Sequence, residues 1–272
     1  MYRSHWQVSE RPFDATDDSR FVFPCETHQA AQLQLRYAVE NRSSAALLVG
    51  GSGTGKSLLV QMLKQSLAEQ YRPFAHLVFP QMPTDELLCY LADELGTASA
   101  DGRSSVRDSI RRIHGTLQEN AAAGRHAVVA IDEAHLLEDT PSLEAIRLLL
   151  NFEAAARPLM TLLLVGQPPL LTAIERMPQL EERLAVKCLL RPLTLDESAG
   201  YVRHRLQAAG SARQVFDDAA LESLHELSRG IPRRLNRLCE LALLIGYAEE
   251  QQAIGREQVE AVGQELALAG AE

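Results

Sequence analysis

The sequence predicts an α/β fold: a parallel sheet with helices on both faces, followed by a small all-helical domain. Two observations carry this. Short apolar runs alternate with helical segments up to about residue 192, and after Pro192 only helical patterns continue. Alternating strands and helices need crossover connections, which make the strands parallel and lay helices over the sheet.

Taken in order, "AALLV" (45–49), "AHLVF" (75–79), "HAVVAI" (126–131), "LMTLLLV" (159–165) and "LAVKCLL" (184–190) read as buried strands. Each is short, apolar and bounded by polar or turn residues. Helices are expected near 57–69, 84–95, 104–122, 141–156 and 169–176. Beyond Pro192 they are expected near 195–208, 217–228, 232–248 and 256–267, with Thr194…Glu197 and Asp217 as helix starts. The domain boundary therefore falls at 192, giving an α/β domain over 1–192 and a helical domain over 193–272.

The chain has 272 residues, a net charge of −9 and 46% hydrophobic residues. That suffices for one large domain or two small ones, and the dispersed charges argue against disorder. No apolar run approaches a membrane span, and "MYRSHWQVSERPF" lacks the apolar centre of a signal peptide. Cys25, Cys89, Cys188 and Cys239 are scattered, without metal-like pairing or a disulfide framework. A reduced, cytoplasmic setting is expected. The acidic balance argues against general nucleic-acid binding, which uses broad positive surfaces.

"VGGSGTGKSLLV" follows the first strand and opens a helix. Gly50, four residues, then Gly55-Lys56-Ser57 complete the Walker A pattern. Backbone N–H groups of Gly50, Gly51, Ser52, Gly53, Thr54 and Gly55, continuing through Lys56, Ser57 and Leu58, are expected to turn around phosphate oxygens at a helix N-terminus. Lys56 would reach the β- and γ-phosphates, and Ser57 would ligate Mg²⁺. The strand "HAVVAI" ends in Asp132-Glu133. At the C-terminal edge of a parallel sheet these carboxylates face the ligand crevice. Asp132 would hold Mg²⁺ through water, and Glu133 would polarise the attacking water. ATP and Mg²⁺ are thus the expected ligands. His135 reads as a polar residue at a helix start, outside the site.

With Walker A, "AIDEAH", "LVGQPPL", "EERLAV" and "GIPRRLNRLCE" in this order, the chain resembles the AAA+ ATPases. More narrowly it is similar to the ExeA family, the general secretion pathway A-type ATPases. "ERPFDATDDSRFVFPCETHQAAQLQLRYAVENR" is similar to that family's opening segment, and "LRPLTLDESAGYVRHRL" to its passage into the helical lid. The resemblance implies a P-loop NTPase core with residues 193–272 as the lid. It also implies ATP hydrolysis coupled to assembly or remodelling of a partner complex, and a homo-oligomer formed on ATP binding. The protein partner is unidentified and would be membrane-associated in a secretion or envelope setting.

Residue by residue, the resemblance assigns Gln167 to the sensor 1 position, Arg183 to the arginine finger and Arg233 to sensor 2 on the lid. The residues alone leave plainer readings open. Gln167 also suits the turn before Pro168-Pro169, Arg183 an ordinary strand edge, and Arg233 a solvated helix face. Arg237 lies one helical turn beyond Arg233, while Arg234 points elsewhere. The chain departs from the family in two places. Phe79, not Asn, precedes Pro80, and Pro169 stands where Glu is common. It also reads as a short form, without the membrane span and peptidoglycan-binding region of longer members.

Two other readings compete. A DNA-associated AAA+ ATPase of the transposition-helper or initiator kind would use Arg103, Arg107, Arg111 and Arg112, with Arg203 and Arg205. Such runs usually form solvated faces, and no helix-turn-helix follows the lid, so DNA is the less favoured partner. A catalytically quiet nucleotide switch is disfavoured by the intact Lys56, Asp132 and Glu133.

Overall fold

The computed structural model describes residues 2–14, 16, 18–96, 105–138 and 141–269. Among the expected basic residues, Arg103 lies outside them. The strands are β1 (Ala45–Gly50), β2 (Phe74–Leu77), β3 (Ala127–Ile131), β4 (Glu153–Ala154), β5 (Arg157–Pro158), β6 (Met160–Gly166) and β7 (Leu184–Leu190). The helices are α1 (Tyr2–Trp6), α2 (Glu26–Glu40), α3 (Lys56–Ser66), α4 (Thr84–Glu94), α5 (Val106–Ala122), α6 (Pro141–Leu149), α7 (Pro169–Glu175) and α8 (Pro178–Glu181). They continue with α9 (Leu195–Ala208), α10 (Asp218–Ser228), α11 (Pro232–Ala248) and α12 (Arg256–Ala269). Contacts group Thr27–Ser52 with Lys56–Leu190 as one unit, and Met1–Glu26, Gly53–Gly55 and Arg191–Glu272 as another.

In the first unit five strands form a sheet in the order β2-β3-β6-β1-β7, every pairing parallel. The three central strands β3, β6 and β1 are buried at every residue, which is why they read as apolar runs, interrupted only by Thr161 in β6. Successive side chains feed opposite faces. Leu47, Val129 and Leu162 enter the core shared with α4 to α7, whereas Leu48, Val128 and Leu163 enter the one shared with α2 and α3. Strand β7, at the sheet edge, alternates in burial, as a strand covered on one face must. Burying one such Leu or Val contributes about 1.5–3 kcal/mol, so the sheet centre is the most stable part of this unit.

The helix expected over 141–156 is corrected. Helix α6 ends at Leu149, and β4 and β5 then form a hairpin. Its two-residue turn is Ala155-Ala156, with φ of 49° and 59°, the left-handed pair of a type I′ turn. The stretch "EAAAR" has good helix propensity, but Leu150 is buried in the core and Phe152 packs against it. A continuous helix would swing one of them away. The second strand is also shorter than expected, which leaves Val78 and Phe79 exposed beyond its end.

In the second unit α9 starts on the expected capping box of Thr194 and Glu197, and the side chain of Asp217 caps α10. Gly230 has φ of 66°, and a Cβ there would come within 2.1 Å of the Leu193 carbonyl oxygen. The first 26 residues group with these helices rather than with the sheet to which the sequence reading attached them. The Trp6 indole N–H donates to the Leu243 carbonyl at 2.9 Å. Arg205 is buried; it donates to the carbonyls of Pro12 and Asp14, both at 2.5 Å, and lies 4.9 Å from the Phe21 ring centre. Its charge is therefore spent inside the unit and offers nothing to DNA. Arg203 is paired with Asp218, and Arg112 with Asp93. Among the described residues no helix is long and apolar enough to cross a membrane.

Candidate functional site

Strand β1 delivers the chain into the glycine loop, and α3 begins at Lys56. Gly53 and Gly55 have φ of 78° and 99°, backbone that only glycine adopts cheaply. Thr54 is buried beside them. Lys56 is 5% exposed, and its ammonium donates to the carbonyls of Gly50 and Gly51 at 3.0 and 3.1 Å. Folding brings a desolvated cation and the donor end of a helix to one loop, an arrangement that attracts phosphate. Ser52 is exposed at the loop tip, and Leu58 is half-buried in the first turn of α3.

Asp132 follows β3 and is 2% exposed. Its Oδ2 accepts from the Ser57 hydroxyl at 2.5 Å, and its Oδ1 from the Glu133 backbone N–H at 2.9 Å. The second bond supports an unusual backbone, since Glu133 has φ of 51°, a region non-glycine residues visit mainly in turns and functional sites. His76 of β2 lies with Nε2 3.9 Å from Asp132 Oδ2. Burial pushes its pKa down, and the Asp132 carboxylate opposes that shift. Ser57 and Asp132 offer two hard oxygens facing each other, the donors Mg²⁺ takes when phosphates and waters complete its shell. Among the described residues no three His, Cys, Asp or Glu side chains form a metal cage, so the site suits a cation shared with a ligand.

Gln167 follows β6. Its side-chain amide donates towards Glu133 Oε2 at 3.4 Å and lies 3.1 Å from His135 Nε2. His135 Nδ1 is 3.3 Å from Glu133 Oε2. The fold therefore brings Lys56, Ser57 and Asp132 together, and joins Glu133 to Gln167. It adds His135 and His76, which the sequence reading did not assign. The "DEAH" spacing was the available signal for His135. For His76 there was none, because only the pairing of β2 with β3 sets it beside Asp132.

Arg183 donates to the Leu150 carbonyl at 2.5 Å and to Asn151 Oδ1 at 2.6 Å. Arg233 is exposed in the first turn of α11, as are Arg234 and Arg237 nearby. The Arg233 backbone N–H donates to the Gly53 carbonyl at 3.3 Å, within the unit that includes Gly53–Gly55.

Over 257 residues the chain is 34% identical to General secretion pathway protein A of Aeromonas hydrophila, covering 93% of this chain and 46% of that protein. The resemblance to the ExeA-type ATPases expected from the sequence is thus borne out, over less than half of the relative's length. Among solved structures, Cdc6p of Pyrobaculum aerophilum superposes with a TM-score of 0.74 at 17% identity, covering 95% of this chain and 71% of that one. The ORC2 protein of Aeropyrum pernix, solved as ADPNP-ADP complexes, gives 0.72 at 16% identity, covering 94% and 72%. At such identities these neighbours speak for the fold. Residues 39–174, half of the chain, match the AAA domain family, and with its P-loop, paired carboxylates and parallel sheet this chain belongs to that family.

Proposed function

We propose that this chain binds ATP with Mg²⁺, hydrolyses it, and couples the cycle to assembly or remodelling of a partner complex. The observation that carries the reading is the 2.5 Å contact between Ser57 and Asp132 beside a loop whose Lys56 is already desolvated. The residues divide the work. The loop amides and Lys56 bind the phosphates, Lys56 exchanging loop carbonyls for phosphate oxygens. Ser57 and Asp132 would hold Mg²⁺, Ser57 directly and Asp132 through water, and the ion would neutralise charge on the phosphate oxygens. Glu133 takes a proton from the attacking water as its oxygen bonds to the γ-phosphorus and the bond to the β,γ-bridging oxygen breaks. Gln167 contacts the γ-phosphate or that water, and Arg233 is the lid's phosphate contact. Arg183 acts on a neighbouring subunit's nucleotide in a homo-oligomer assembled on ATP binding.

Similarity to General secretion pathway protein A supports a secretion or envelope complex, met by this chain from the cytoplasmic side. The test is an Mg²⁺-dependent ATPase assay together with a pull-down on a Glu133→Gln variant, with and without nuclease. That variant is expected to retain ATP and hold a protein partner. Turnover at the wild-type rate overturns the role of Glu133, and ATP-dependent recovery of DNA alone overturns the coupling proposed here.

A further inference from the structure

Glu133 is 39% exposed at its side chain, on a short turn that leaves its carboxylate room to rotate. A general base with that freedom points an oxygen at its water only part of the time. The fold supplies a restraint. His135, 14% exposed at its side chain, sits two residues on in the 3-10 turn Ala134–Leu137, and it touches both Glu133 and Gln167. One neutral tautomer serves both the Gln167 amide and the Glu133 carboxylate. The Gln167 side-chain N–H₂ can only donate, so Nε2 of His135, 3.1 Å away, accepts. The ring proton is then on Nδ1, facing Glu133 Oε2 at 3.3 Å. The Gln167 backbone N–H also points at that Nδ1, at 3.5 Å, a bond that the Nδ1–H tautomer gives up for the shorter contacts to the Gln167 amide and to Glu133. Oε2 is thereby faced by two donors, from His135 and Gln167, which leaves Oε1 for water.

The backbone is shaped to allow this. A Cβ on Gly166, the last residue of β6, would come within 3.1 Å of the His135 backbone nitrogen and 2.8 Å of Leu170 Cδ2. Glycine at 166 thus lets the end of β6 approach the turn, which carries Gln167 to the imidazole.

We propose that His135 is a positioning residue: through an Nδ1–H···Oε2 contact it fixes the carboxylate of Glu133 and ties its orientation to Gln167. This rests on the ATPase reading for its consequence, but the contact exists without nucleotide and is tested without it. Misplacing a catalytic group by about an ångström costs on the order of 10²-fold.

The first measurement is the imidazole 15N–1H spectrum of the nucleotide-free protein, with His135 identified by its loss in His135→Gln. The expected spectrum shows His135 protonated on Nδ1 and shifting in Glu133→Gln. An Nε2-protonated His135, or one indifferent to Glu133→Gln, overturns the proposal whether or not the protein hydrolyses ATP. The second is steady-state kinetics. His135→Ala is expected to lower kcat by about 10- to 100-fold with KM for ATP within about twofold, and His135→Gln, which can donate to the same oxygen, to recover part of it. An unchanged or raised kcat in His135→Ala, or equal changes in kcat and KM, also overturns the proposal. An inactive wild-type protein with the expected spectrum would instead refute the ATPase reading and leave the contact standing.

Discussion

Replacing Lys56 with alanine separates the loop's charge from its shape. The ammonium is buried and bonded to two loop carbonyls at 3.0 and 3.1 Å, so its desolvation is complete before any ligand arrives. On binding it trades neutral acceptors for charged phosphate oxygens. A hydrogen bond to a charged group contributes about 1.5–3 kcal/mol, which corresponds to an affinity lower by about 10- to 150-fold in Lys56→Ala. The assay is titration of wild type and variant with a fluorescent ATP analogue in Mg²⁺, with thermal unfolding run alongside to show that both are folded. If the folded variant binds within threefold of wild type, Lys56 does not touch the phosphates. The assignment of the loop as a phosphate site would then fall with it.

Gly230→Ala places a Cβ 2.1 Å from the Leu193 carbonyl oxygen at a φ of 66°; the strained backbone alone costs about 1–2 kcal/mol, and a clear fall in Tm by calorimetry is expected. Glu197 is held down to about 2, chiefly by its hydrogen bonds with Arg191. Its contribution to stability is therefore full above the ordinary carboxylate range and lost as pH falls towards 2, and Glu197→Gln should remove about half a kcal/mol or more of the stability lost between pH 5 and 3, read as a flatter dependence of Tm on pH. Burial raises the Cys188 thiol to about 11, so a thiol reagent at pH 8 should modify half-buried Cys89 well before Cys188, read by mass spectrometry. Arg183→Ala mixed with Lys56→Ala should regain ATPase activity if the arginine acts on a neighbour; lower stability with unchanged turnover would reduce Arg183 to its bonds with Leu150 and Asn151.

The central strands were legible because burial on both faces leaves an unbroken apolar run, as in Ala127–Ile131. The Thr194 box and the Asp217 cap were legible because capping is written within four residues. Local propensity misled at 150–156, where the burial of Leu150 and the packing of Phe152 decide against a helix. Placement of the first 26 residues was hidden too, since nothing near Trp6 in the chain names Leu243 as its partner. At the site, Lys56, Ser57 and the two carboxylates announce themselves by spacing. His76 and the Gln167–His135 contact depend on which strands pair, and that order is not written locally.

The tie between Trp6 and Leu243 spans 237 positions, and the Arg205 bonds to Pro12 and Asp14 span 193 and 191. A chain made from its N-terminus therefore carries an unfinished seam through most of synthesis, since the residues that close over Trp6 emerge last. Closing so long a loop is slow although its entropy rises only weakly with length. A truncated chain beginning at residue 39, where the family match starts, would keep the five strands but lose α2, whose Ala31 and Leu35 cover one sheet face. It would strip Tyr2, Trp6, Phe13 and Phe21 from the core of the helical unit, and that unit would be left with an open apolar trough where the first residues belong.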